Sequence, residues 1–265
     1  MGVKKGIGIA AGAIALLGGV GALGVIGVFA LVNAFPTPDD LAGPRDDGSW
    51  PWSPSDPVPR AEYATPIHAP RGESADGFLG LPDPEWVTQT ALATGIPERA
   101  LAAYAAADIR AIDEYGCAVG WNTLAGIGWV ESYHGTIFGG QVDADGVARP
   151  AIIGIPLNGT NNTMAIPDTD GGLFDGDTEW DRAVGPMQFI PETWRRWAVN
   201  ASEGVETSPH SIDDAAITAA RYLCRLDGSL ESEGTWIRAI RSYNDLYDYQ
   251  TRVAQAAERY ADAAR

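Results

Sequence analysis

From Ile7 to Val32 the chain carries no charged residue across 26 positions, and this run limits the fold before anything else does. A helix that is apolar on every side must be buried, either in a large core or in a bilayer. At about 1.5 Å per residue the run exceeds the ~30 Å hydrocarbon thickness of a membrane, so a transmembrane helix over residues 7–32 is expected. Lys4 and Lys5 precede it while Asp39 and Asp40 follow. The positive-inside rule then puts residues 1–6 in the cytoplasm and the remainder outside the cell membrane. A cleaved signal peptide is the competing reading, with Val32-Asn33-Ala34 as its cleavage site and a secreted product. The run is longer than a signal's usual apolar core of about 7 to 15 residues, which favours a retained anchor. No cysteine stands near its end, which argues against a lipoprotein.

Residues 33–80 read as an extended linker. Nine of the chain's 18 prolines fall between residues 35 and 80, among Asp, Ser and Gly and without sustained apolar periodicity. Residues 81–265 are left as the folded domain. The formal charge of −17 speaks against a nucleic-acid partner, which would need clustered Lys and Arg. It also argues against electrostatic adhesion to an anionic surface, leaving the membrane segment as the anchor. The two cysteines, Cys117 and Cys224, both lie beyond that segment, where conditions are oxidising. A disulfide between them is predicted, with two buried free thiols as the alternative.

The domain reads as mainly α. Pro84 opens one helix and Pro97 a second, alanine-rich one that stops at Gly116. Asn122 is a candidate cap for a third helix, which carries Leu124, Ile127 and Val130 towards Glu131. Ser211 with Asp214 makes a capping box for Ile212 to Cys224. Trp236 to Tyr243 and Leu246 to Ala263 read as the last two helices. From Thr136 to Asp181 glycine, asparagine and aspartate dominate, with a short β-like run at Ala151 to Ile155. This is expected to be an irregular insertion with a small hairpin.

Three segments carry chemistry. In Gly126-Ile127-Gly128-Trp129-Val130-Glu131-Ser132-Tyr133-His134-Gly135 an apolar helical run ends on a lone carboxylate, the setting that keeps an acid protonated for transfer to a sugar bond. Next comes Gly185-Pro186-Met187-Gln188-Phe189 with Pro191-Glu192-Thr193-Trp194 behind it, and then Arg241-Ser242-Tyr243-Asn244. In this order and spacing, across roughly residues 81 to 262, the segments resemble the lytic murein transglycosylases, closest to the membrane-bound B branch in its actinobacterial form. The resemblance implies a lysozyme-like helical fold of the goose type and a peptidoglycan substrate. It implies cleavage of the MurNAc–GlcNAc β-1,4 bond to 1,6-anhydro ends, with Glu131 as general acid and then base. It further implies that Ser132, Met187, Gln188, Tyr243 and Asn244 form the substrate site, with Ser132 binding sugar or orienting the carboxyl, Met187 and Phe189 giving one wall to the sugar and one to the core, and the Tyr243 hydroxyl near the catalytic carboxyl. His134, beside Gly135, is read as a structural turn residue. The continuation Asp245-Leu246-Tyr247 departs from the small, flexible residues usual in that family.

Two other readings stay open. A hydrolytic muramidase of the same fold would need a second carboxylate about 5 to 9 Å from Glu131, for which Asp181 and Asp245 are the candidates. A non-catalytic wall-binding protein would have no need of a desolvated acid. No cofactor is required by this chemistry, and a monomer is expected. Calcium is a weaker expectation, carried by Asp168, Asp170 and Glu179 in a loop that matches the EF-hand pattern only in part.

Overall fold

Helix α2 (Glu98–Tyr115) owes its central place to small side chains. Six of its alanines are buried, and a single methyl each lets neighbouring backbones approach closely. It packs on α1 (Pro84–Thr94), α3 (Trp121–Ser132) and α5 (Ile212–Cys224), while α3 lies along α7 (Tyr247–Ala263). Helices α4 (Pro191–Trp197) and α6 (Glu233–Tyr243) complete a mainly α architecture. Gly128 permits one of these close approaches: a Cβ there would stand 2.0 Å from the Tyr104 hydroxyl. In this computed structural model the described residues are 62–73, 76–160, 163–202, 206–226 and 229–265. The expected cytoplasmic residues, the membrane segment at 7–32 and positions 33–61 of the linker lie outside them. Among the described residues no helix is long and apolar enough to cross a membrane.

Local signals account for most helix ends. The Asp83 carboxylate accepts from Trp86 N at 2.9 Å, and Gly95 closes α1 in the left-handed region. Ser211 caps α5 through Asp214 N, as its sequence predicts, and Ser232 caps α6 through Thr235 N. Cys117 and Cys224 form a disulfide that ties the turn after α2 to the end of α5 across 107 positions. Arg99 on α2 adds a bidentate pair with Asp213 on α5, at 2.7 and 2.6 Å.

Three expectations need correction. Asn122 does not cap α3, whose N-cap is Gly120. It is buried, its Oδ1 accepts from Ile67 N at 2.8 Å, and its Nδ2 donates to Thr65 O and Ala257 O at 3.0 and 3.3 Å. Those bonds hold part of what the composition assigns to the linker. From residue 62 onward the chain runs as an extended strap against the helices. Tyr63 Oη donates to Glu231 O, Trp121 N donates to Ile67 O, and Phe78 enters the core. The fully buried Asp108 carboxylate accepts from Ala69 N and Gly120 N at 3.0 and 2.9 Å and faces His68 Nδ1 at 3.1 Å. Proline denies this segment a ladder of its own, so side chains of the helices satisfy its backbone. The folded unit thus includes the described residues from 62 onward and not only those from 81.

The insertion is irregular with a small hairpin, as expected, and the third correction concerns only its β-like run. The hairpin pairs β1 (Gln141–Val142) with β2 (Ala148–Arg149), and the Ala151 to Ile155 run contributes a single bridge, Ile153 to Val184. The remainder holds two further isolated bridges, Asn158 to Ala165 and Pro167 to Trp180, and turns whose N–H groups are capped by aspartates. Asp168 Oδ1 alone accepts from the backbone of Asp170, Gly171 and Gly172.

Candidate functional site

A cavity of about 240 Å³ opens where three distant stretches meet. The end of α3 supplies Glu131, the turn before α4 supplies Gln188 and Phe189, and the end of α6 supplies Tyr243 and Asn244. Leu157, Met164 and Ile166 of the insertion form an apolar wall.

Helix α3 stops at Ser132 because Tyr133 and His134 take positive φ of 50° and 62°, followed by Gly135 at 83°. Left-handed geometry costs non-glycine residues roughly 1–2 kcal/mol each, so the surroundings must hold it. Ser132 does much of this: its hydroxyl accepts from Gly135 N at 2.7 Å and donates to Pro186 O at 2.6 Å. Expected to bind sugar or to orient the carboxyl, Ser132 is 1% exposed and is not among the residues that line the cavity, which leaves the positioning role. It clamps the acid's helix end to the turn that carries Gln188. His134 is sealed between Tyr260 Oη at 2.9 Å and Tyr104 Oη at 3.3 Å. Burial lowers its pKa to about 3, so it stands neutral in a structural turn.

Glu131 is 5% exposed. Desolvation raises its pKa to about 8, against the opposing pull of a hydrogen bond from Tyr249 and the charge of Arg252. The carboxyl therefore carries a proton at neutral pH. Tyr249 Oη donates to Glu131 Oε1 at 2.7 Å, and this residue has no place in the sequence-derived set. Tyr243, which does, donates its hydroxyl to Met187 O at 2.8 Å and lies parallel to Tyr249, with ring centroids 6.5 Å apart. Burial, and next the Glu131 carboxyl, hold both phenols well above their ordinary 10, so both remain donors. On the helical repeat Tyr249 reads as an ordinary core position of α7, which is why the sequence alone does not single it out.

The Gly185 to Phe189 turn is shaped by a requirement for glycine. Gly185 has φ 80°, and a Cβ there would lie 1.7 Å from Pro209 O. Gln188 itself sits at φ 49°, with Nε2 donating to Gly185 O at 2.9 Å. Its Oε1 is buried and no donor among the described residues reaches it. An orphaned buried acceptor costs about 1–3 kcal/mol, a cost removed when a ligand N–H or O–H arrives. Of the pair expected to give one wall to the sugar and one to the core, Met187 is fully buried on the core side, so it is not the substrate contact, and Phe189 faces the cavity. Asn244 lines the cavity while its Oδ1 accepts from Leu246 N at 3.2 Å.

Neither candidate for a second carboxylate joins Glu131. Asp181 is buried and accepts from Thr169 N and Oγ1, both at 2.8 Å, and Asp245 is exposed and paired with Arg241 at 2.7 Å. Among the described residues that line the cavity, Glu131 is the only carboxylate. Of the expected calcium set, Asp168 and Asp170 do come together, but with Asp181: one oxygen from each lies within 4.8 Å of the others. Glu179 is exposed and is not part of that group. Three carboxylates at this spacing have the chemistry to hold a hard divalent cation. Comparison of the chain with protein-family models, with curated proteins and with solved structures returns no match in any of the three.

Proposed function

We propose that the protein is a peptidoglycan lytic transglycosylase with a lysozyme-like helical domain, held at the outer face of the cell membrane by its N-terminal segment. The observation that carries this reading is one protonated carboxyl, Glu131 with a pKa of about 8, without a partner carboxylate in its cavity. A hydrolase normally needs two such groups. A single acid suffices when the substrate supplies its own nucleophile. Glu131 gives its proton to the bridging oxygen as the C1–O bond breaks, and the departing sugar leaves with a free hydroxyl. The resulting carboxylate takes the proton of the C6 hydroxyl as that oxygen closes on C1, forming the 1,6-anhydro ring. Proton and bonds balance, and no water is consumed.

The remaining residues have matching tasks. Tyr249 fixes the carboxyl through Oε1, leaving the other oxygen for the substrate. Gln188 Oε1 accepts from an acetamido N–H, which would relieve its orphaned state. The Cys117–Cys224 disulfide supports a location outside the cytoplasm. Digestion of purified peptidoglycan by the full-length protein, with products weighed by mass spectrometry, tests the reading. Muropeptides one water lighter than reducing ends, lost in Glu131→Gln, are the expected result. Reducing ends would make it a hydrolase, and intact glycan a binding protein.

A further inference from the structure

Beside the catalytic cavity lies a second groove of about 230 Å³, lined by Glu192, Thr193, Arg196, Trp197, Tyr222 and Arg225. Thr193 and Tyr222 line both, so the two are continuous. The chain has 18 basic residues against 35 acidic ones, yet three arginines gather here. Arg225 lies over the Tyr222 ring at 3.5 Å, and Arg221 and Arg225 approach the Trp197 ring at 5.5 and 5.7 Å. Their hydrogen bonds go to neutral acceptors: Arg225 to Tyr222 O and Ser242 Oγ, Arg221 to Trp197 O and Ala198 O. Arg196 is exposed, and no acceptor for it is found among the described residues. Glu192, exposed at the rim, forms no ion pair with any of the three.

A guanidinium stacked on an aromatic ring is held in orientation while N–H groups on its edge stay free, which suits a planar, bidentate anion. Two such guanidinia, Arg221 and Arg225, with the exposed Arg196 beside them and no carboxylate partner for any of the three among the described residues, form a field that attracts one. We propose that this groove binds a carboxylate carried by the substrate, namely the free carboxylate of the peptide stem on the muramyl sugar. This rests on the reading of the adjoining cavity as a peptidoglycan site. A substituent on a sugar held against Glu131 enters the groove across Thr193 and Tyr222.

Calorimetric titration of the full-length protein with N-acetylmuramoyl-L-alanyl-D-glutamate, and with the same compound as its diamide, is the test. The wild type is expected to bind the acid form roughly 10-fold more tightly, as a charge-assisted pair implies. Arg196→Gln, on an exposed side chain whose loss leaves the circular dichroism spectrum unchanged, should remove most of that preference, and Arg196→Lys should restore part of it. Equal affinity for the two forms, no measurable binding of the acid form, or an unaltered preference in Arg196→Gln would overturn the proposal. A wild type that prefers the acid form but yields no anhydro product keeps the groove and removes the transglycosylase reading. One that cleaves but shows no preference removes the groove alone.

Discussion

Replacing Glu131 with glutamine should stabilise the protein, by an amount that grows with pH. The folded carboxyl has a pKa of about 8 against an ordinary 4.5. Below pH 4.5 both folded and unfolded states hold the proton, and burial of the acid carries no ionisation penalty. Between the two values the unfolded chain ionises and the folded one does not, so folding must recover a proton. Each pH unit in that window costs about 1.36 kcal/mol. At pH 7 the loss is about 3 kcal/mol, and it levels off near 5 kcal/mol once the pH passes about 8. Glutamine is neutral throughout, nearly the same shape, and can still accept from Tyr249. The difference between variant and wild type should therefore be close to zero at pH 4.5 and about 3 kcal/mol at pH 7, since the other titrations are shared and cancel. Urea unfolding followed by circular dichroism from pH 4.5 to 8.5 measures it. A difference that is independent of pH, or that shrinks as pH rises, would show that Glu131 is not held protonated by burial.

Four further outcomes are expected. Tyr249→Phe removes a hydrogen bond that lowers the Glu131 pKa, so the alkaline limb of the pH–rate profile should move to higher pH. The looser carboxyl should also cut kcat by roughly 10- to 100-fold, both visible in glycan-release assays. Gly185→Ala forces a Cβ towards Pro209 O and should lower the thermal midpoint sharply, with at least about 3 kcal/mol lost in urea. Reducing the Cys117–Cys224 bridge should cost about 2–5 kcal/mol, read as a shift in the urea midpoint under dithiothreitol. A domain cut at residue 81 should be markedly less stable to urea than one cut at residue 61, because it strips Asp108 of Ala69 N and His68 and leaves Asn122 without Ile67 and Thr65.

What could be read from the sequence was local. Pro84, Gly116 and Ser211 mark helix ends through their own backbone preferences, and the structure places those ends where they stand. Glu131 is legible because an apolar helix ending on an acid is a local anomaly, and Gln188 and Asn244 because they accompany it in order. What escaped was non-local. The role of Tyr249 depends on α7 lying along α3, and nothing between residues 246 and 263 encodes that distance. Asn122 has the residue type of a cap but uses its amide on chain 55 residues earlier and 135 later. Asp181 joins Asp168 and Asp170 through the turn of the loop, where a linear ligand pattern pointed to Glu179. The residues read as substrate contacts divide by direction: Gln188, Tyr243 and Asn244 face the cavity, while Ser132 and Met187 turn away from it.

The strap shortens the leash. If the chain is anchored over residues 7–32, its reach above the membrane is counted from residue 33 to the first residue fastened to the helices. With the chain fastened no later than about residue 62, at most 29 residues remain instead of 48. At no more than about 3.5 Å per residue, the upper limit falls from about 170 Å to about 100 Å. Under the proposed function, glycan beyond that height would be out of range however well it fits the cavity, and the working depth would be capped by where Asn122 and Asp108 grip the chain.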